Sequence, residues 1–434
     1  MTKAETTQSG EAPRVMLYSQ DGFGLGHLRR TSLIAAALTQ ACSSAAVLTV
    51  IDSRLGAFFE PAPNQDFLKL PSIVKIGPGE WQAVGLPLDF PQVHAVRSEL
   101  LRATARSYQP HLLLVDHMPH GAMGELLPTL EALRRDGGTR IVLGLRDIID
   151  APAVTREVWA REGAYEAIER YYDQVLVYGR RDVFDLGAQY GLPPAVAGRV
   201  RYTGYVAAPG KGQEAARLRV RYGAGEGSGR GLIVAMAGGG ADGYPLLRAV
   251  LDALPLVRQR QPCTAVLVTG PFMPSGRRRE LQRRARAADA RVHISVGDTL
   301  SHIRAADVVA AMAGYSTTVE VLGARTPAIL VPRRGPSAEQ RTRASLFAGR
   351  GWIRAIDPDD LDVETLAAAL LASLAQDPVS GRPACDGLRV AAGHLLALLG
   401  GDCTAAAAAA GLLEAGEPAG PATAPPANLL APLE

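Results

Sequence analysis

Cysteine is scarce: four stand in 434 residues, at Cys42, Cys263, Cys385 and Cys403, with no Cys-x-x-Cys pair among them. That spacing excludes a zinc-ligand pattern and does not suggest a disulfide scaffold. Long apolar runs are missing too, and nothing approaches the roughly 18 residues needed to span a bilayer. One-sided charge is absent: 46 basic against 43 acidic residues leave a formal +3, where a nucleic-acid-binding domain would be strongly basic. Arginines bunch locally, at Arg277, Arg278, Arg279, Arg283, Arg284 and Arg286, in the manner of a solvated helix face. The first residues, MTKAETTQSGEAPR, are polar and carry two glutamates, unlike a secretory leader. The expectation is a cytoplasmic protein with no transmembrane segment and no nucleic-acid partner.

What is present is apolar material, 47% of the chain, over a length that favours two domains. Short apolar strands are expected at 14–19, 46–51, 111–116, 140–145 and 174–178, with helical patterns between them at 93–108 and 123–135. The grammar restarts at 231–235 and continues at 265–268, 292–295, 307–310 and 328–331, with a helix over 244–259. Buried strands alternating with amphipathic helices imply parallel sheets covered on both faces. The chain therefore reads as an α/β protein. Residues 1–12 are expected to be disordered, 13–206 form a first Rossmann-like domain and 207–230 a linker around one short helix. Residues 231–402 form a second Rossmann-like domain. The alanine- and proline-rich 403–434 read as a mostly disordered tail that could hold one short helix.

Three segments carry chemistry. The first, DGFGLGHLRR, follows the first strand and holds Gly24, Gly26, His27 and Arg30. Its glycines let backbone approach a ligand, and the helix behind it offers bare N–H groups. His27 opens that helix on the carboxyl side of the sheet, where α/β sheets bind ligands; an imidazole there can take a proton from an attacking hydroxyl. A capping role is the plain alternative. The second, AGGGADG, holds Gly238, Gly239 and Gly240, a strand-to-helix turn able to cradle phosphate. The third runs through Gly314, Tyr315, Ser316, Thr317 and Glu320 to Glu339 and Gln340. Hydroxyls and amides at a helix start suit an anion, and a carboxylate one turn inside suits a diol. A glutamate complementing the helix dipole is the bland reading of Glu320.

The block from Asp307 to Gln340 resembles the donor-binding region of family 28 glycosyltransferases, which include the lipid II N-acetylglucosaminyltransferase and monogalactosyldiacylglycerol synthases. The resemblance implies the GT-B fold, two Rossmann-like domains facing across a cleft. It implies that Glu320 holds a ribose, that Tyr315 to Thr317 meet a diphosphate, that Glu339 and Gln340 face the sugar and that Val296 contacts the base through its main chain. In the first domain it covers mainly the glycine-rich turn and His27. The expected reaction moves a hexose from a UDP-sugar to a hydroxyl or amine, with inversion at the anomeric carbon and neither metal nor cofactor. Asp116, His117, Arg146 and Asp147, at strand ends of the first domain, are candidates for acceptor contacts or for orienting His27; each could equally form a structural ion pair. Two departures stand out: Gly240 replaces a serine frequent in the family, and Glu339 stands where the peptidoglycan enzyme has glutamine. Gly24, Gly26, His27 and Arg30 are also similar to the turn of a UDP-sugar hydrolase of pseudaminic acid synthesis, which keeps that reaction as an alternative. A non-catalytic nucleotide-sugar-binding protein is the rival from another class. A NAD enzyme using Asp52 at the end of the second strand is weaker, because the G-x-G-x-x-G fingerprint is incomplete.

Overall fold

The computed structural model describes residues 12–20, 25–56, 58–77, 80–210, 212–409 and 411–412. The first half contributes strands β1 (Arg14–Ser19), β2 (Ala46–Ile51), β3 (Gln65–Lys69), β4 (Ile73–Gly77), β5 (Glu80–Ala83), β6 (Leu112–Asp116), β7 (Arg140–Arg146), β8 (Gln174–Tyr178) and β9 (Val200–Tyr202). The second contributes β10 (Gly231–Met236), β11 (Cys263–Val268), β12 (Ala290–His293), β13 (Val308–Met312), β14 (Ala328–Val331) and β15 (Arg354–Ala355). One sheet has the order β3-β2-β1-β6-β7-β8-β9 and the other β12-β11-β10-β13-β14-β15, and every pair in both is parallel. β4 and β5 form a separate antiparallel hairpin. Each domain is thus a doubly wound α/β sheet, as the pattern of buried strands and amphipathic helices predicts.

β1 shows why the runs read as apolar throughout. Val15, Met16, Leu17 and Tyr18 are all fully buried, and because side chains alternate along a strand they feed two different cores. Val15 and Leu17 pack with Ile34, Leu38 and Leu114, whereas Met16 and Tyr18 pack with Leu101, Leu113 and Val115. The first of these cores runs on into the second domain, through Tyr205 and Tyr315 to Leu232, Val234 and Leu330.

Some boundaries differ from expectation. β12 lies two residues earlier than 292–295, because Asp289, with a left-handed φ of 44°, makes the turn that starts it. The helix expected over 123–135 is broken: Met123 has φ 50° and the helix proper runs Leu127–Asp136, with a proline in its first turn where the missing N–H costs nothing. β3, the β4–β5 hairpin, β9 and the two-residue β15 were not anticipated; they are short and mostly half exposed, without a continuous apolar run.

The chain crosses between domains twice at one place. Val206 pairs with Asp386, and Gly387 sits so close that a β-carbon on it would lie 2.4 Å from the Gly204 carbonyl oxygen. Helices Gly387–Leu399 and Gly401–Ala409 then pack on the helix Gly26–Ala41 of the first domain. The helices over 387–409 therefore return to the first domain, although 231–402 was expected to be one unit. They also bring Cys403 onto Cys42 in a disulfide, a bridge that the cysteine spacing did not suggest. The partners are 361 residues apart, and only this return of the chain makes them neighbours. The segment expected as a linker contains the helix Ala215–Arg221, and the helix Gly401–Ala409 runs into the start of the expected tail. The expected disorder of 1–12 and 403–434 concerns mainly residues outside those described. Among the described residues no helix is long and apolar enough to cross a membrane.

Candidate active site at the domain interface

Two helices point their N-termini at one spot. The His27 helix (Gly26–Ala41) springs from the end of β1, and the Glu320 helix (Tyr315–Ala324) from the end of β13. A β-carbon added to Gly26 would lie 3.8 Å from Ser316 Oγ, so the two ends are nearly in contact. Neither N-cap residue, Leu25 or Gly314, caps its helix with its side chain. Two converging helix dipoles favour an anion at this spot. Gly24 lies outside the described residues.

His27 faces its own domain. Its Nδ1 is 2.6 Å from Asp116 Oδ2, at the carboxyl end of β6. Arg30, one turn on and on the same helix face, forks onto Asp116 at 2.7–3.0 Å and approaches His27 Nδ1 to 2.9 Å. Asp116 is fully buried. Burial pushes its carboxyl up, but Arg30 and then His27 outweigh that and hold it below its ordinary value. An ionised Asp116 fixes the proton of His27 on Nδ1, so Nε2 is the basic ring nitrogen. His117 lies against this pair with ring centroids 4.9 Å apart, and burial together with Arg146, His27 and Arg30 pushes it well below the usual imidazole range. It is neutral, and its φ of 82° is rare for a residue with a β-carbon.

Arg29 faces the other way, two residues on and thus on the opposite side of the helix. Its Nε and Nη2 stand 2.9 and 2.7 Å from Glu320 Oε1. Glu320 is 3% exposed, and burial raises its carboxyl despite the opposing pull of Arg29. Ser316 and Thr317 are half buried at the head of the same helix. The Tyr315 backbone begins it, while the Tyr315 hydroxyl accepts the amide of Val206 at 2.9 Å and donates to the Tyr178 carbonyl at 2.9 Å. Gly314 adjoins Gln340, whose Oε1 accepts the Arg333 amide at 3.1 Å.

The glycine turn of the second domain is tightly built. Gly240 has φ 96° and no room for a side chain, since a β-carbon would stand 2.1 Å from the Thr269 carbonyl oxygen. The Gly240 amide bonds to Ala237 O at 3.1 Å, and the Gly239 carbonyl accepts from Phe272 at 2.9 Å. Among the amides expected to cradle phosphate, that of Gly240 is therefore already engaged. Gly238 also has a positive φ. Val296 is half buried, two residues beyond Ile294, whose carbonyl accepts from Gly270.

Glu339 is buried in an arginine cluster. Arg343 donates to its Oε1 at 2.9 Å, and Arg146 Nη1 lies 2.9 Å from its Oε2. Burial raises its carboxyl, but Arg146, Arg343 and Arg333 together bring it below its ordinary value. Arg343, itself fully buried, also grips Asp147 at 2.6 and 3.0 Å. Asp147 and Arg146 thus belong to ion pairs that tie β7 to the second domain, the structural alternative left open for them. In this arrangement both oxygens of Glu339 meet arginines. Arg29, Arg333 and Arg343 were not singled out in the sequence. Arg343 stands four residues from Glu339 on one helix face and could have been found from that spacing.

Other candidates fall away from the interface. Asp52 is buried and paired with Arg97 at 3.3 Å, and Arg97 also holds Glu125, which removes the acid a NAD reading needs. Two D-x-D triplets occur, at Asp357–Asp359 and Asp360–Asp362. Asp357 and Asp359 pair with Arg341, and Asp362 caps the helix that follows it. A hollow of about 410 Å³ bordered by Arg221, Arg230, Arg286 and Arg291 opens at the amino ends of β10–β12, opposite the edge where α/β sheets bind ligands.

Comparison with known proteins agrees with this geometry. Residues 233–382 match the family model of the glycosyltransferase family 28 C-terminal domain. A curated relative, an uncharacterized glycosyltransferase of Methanosarcina mazei, is 28% identical over 141 residues, which are 32% of this chain and 35% of the relative. The match therefore spans about a third of that protein. Among solved structures, Acinetobacter baumannii MurG superposes with a TM-score of 0.57 at 13% identity, over 88% of this chain and 99% of its own. The S. aureus MnaA–UDP co-structure gives 0.57 at 10% identity, over 88% and 95%. These likenesses show the GT-B fold, and the family match lies within the second domain.

Proposed function

We propose that this family 28-type chain of the GT-B fold is a glycosyltransferase that moves a hexose from a UDP-sugar to a hydroxyl or amine of an acceptor, inverting the anomeric carbon without a metal. The single observation that carries this is the meeting of two helix N-termini beside the His27–Asp116 pair. The diphosphate lies at the Ser316 and Thr317 end, with Glu320 toward the ribose, Val296 toward the base and Gln340 toward the sugar. Glu339 acts there through the arginines it holds. The acceptor lies over the first domain. Its oxygen or nitrogen attacks the anomeric carbon as the bond to the diphosphate breaks, and His27 Nε2 takes the proton. Both helix ends and the arginine cluster stabilise the charge left on UDP. Asp116 orients and balances the imidazolium, an arrangement in which a general base gains about 10²–10⁴ in rate.

The Gly26, His27 and Arg30 turn, similar to that of a UDP-sugar hydrolase, supports one second reading, hydrolysis of the UDP-sugar with water as acceptor. A panel of UDP-sugars, followed for UDP release with and without bacterial metabolite extract, separates them. Transfer predicts donor loss that needs the extract and disappears in His27→Ala. Rapid release of free sugar without extract would establish the hydrolase, and turnover of no UDP-sugar would overturn both.

A further inference from the structure

We propose that Arg29 is a positioning residue for the nucleotide: from the first domain it turns and holds the Glu320 carboxylate, so that the second domain's grip on the donor depends on a side chain of the first. The inference rests on the reading that Glu320 meets the ribose. Both Arg29 bonds fall on Oε1, at 2.9 and 2.7 Å, and no other described residue hydrogen-bonds this carboxylate. Oε2 is left to accept a ribose hydroxyl. The Arg29 guanidinium is 23% exposed, enough to reach the cleft, and lies 5.3 Å over the Phe59 ring, which steadies it.

A buried carboxylate without a partner is costly, and Glu320 has no cation of its own domain against it. Besides burial, Asp298 at the head of helix Thr299–Ala305 pushes the carboxyl up; Arg29 is the group that pulls it down. His302 on that helix turns to the Asp298 carbonyl and to Tyr222 instead. Arg30, next along the His27 helix, is spent on Asp116. Helix geometry explains how one short segment serves both domains: His27 and Arg30 share a face, and Arg29 takes the opposite one. The spacing Gly-His-x-Arg-Arg thus places a proton acceptor toward the acceptor side and a cation toward the donor side.

The test is calorimetric titration of the full chain with UDP, from about pH 5 to about pH 8. The chains are wild type, Arg29→Lys, Arg29→Met, Glu320→Gln and the Arg29→Met/Glu320→Gln pair, each checked for an unchanged fold by circular dichroism. The expected loss in Arg29→Met is about tenfold or more in affinity, with partial rescue by lysine. An ionised Glu320 accepts a ribose hydroxyl more strongly than the neutral acid, so affinity falls as pH drops through its raised value. Without Arg29 that fall moves to higher pH. On the Glu320→Gln background the Arg29 change adds nothing, the mark of a shared interaction. A Glu320-dependent affinity that ignores Arg29, or strictly additive losses, overturns the proposal alone. No UDP binding by the wild type, or binding indifferent to Glu320→Gln, overturns the reading of Glu320 and the proposal with it.

Discussion

At the scale of single residues, the site divides into one segment that handles protons and one that handles anions. Asp116 is fully buried and bonded to both His27 and Arg30, so its replacement by asparagine removes charge without removing shape. Asp116→Asn is expected to lower kcat for sugar transfer by about a hundredfold or more, with KM for the donor little changed. Steady-state kinetics at fixed pH would show it, and an equal rise in donor KM would instead assign Asp116 to binding. His27 was legible in the sequence because it follows a glycine turn at a strand end, a place where α/β proteins bind ligands. Arg29 was not, because its partner lies 291 residues away and nothing in a run of arginines says which of them crosses a domain boundary. Glu339 was read as meeting the sugar. What that reading lacked was Arg146, 193 residues earlier in the chain, whose ion pair with Glu339 only the docked domains reveal.

At the scale of elements, the central strands were legible because both faces are buried, so their runs are almost wholly apolar. The hairpin β4–β5 and the edge strands β3, β9 and β15 were not, since they are short and their half-exposed residues mix polar and apolar. The Glu320 helix has a second task that the pattern did not disclose. Its first residue, Tyr315, ties the domains by receiving the Val206 amide and donating to the Tyr178 carbonyl. Tyr315→Phe leaves a buried amide and a carbonyl unpaired, a cost of about 1–3 kcal/mol. The expected outcome is a lower unfolding temperature in scanning calorimetry with UDP affinity largely kept, since the diphosphate is assigned to backbone and not to the hydroxyl. An unchanged transition would mean that water or a shifted neighbour replaces both bonds.

At the scale of the whole molecule, the chain closes on itself: the last helices leave the second domain, cover the His27 helix and are fastened there by Cys42–Cys403. Four scattered cysteines carried no hint of this, because loop length along the sequence says nothing about which ends the fold brings together. A cross-link over so long a loop limits the unfolded chain strongly, and its removal typically costs about 2–4 kcal/mol. Cys403→Ser is expected to lower the unfolding temperature and to release one extra thiol for alkylation under denaturing, non-reducing conditions; two extra thiols in the unaltered chain would show that the bridge does not form. The central claim is that a UDP-sugar diphosphate sits between the two facing helix N-termini. Diffraction from crystals grown with UDP tests it most directly. The account predicts the β-phosphate at the amides of Ser316 and Thr317, close to His27, with the ribose against Glu320. A nucleotide seated elsewhere, for instance in the arginine-lined hollow at the amino ends of β10–β12, would contradict it.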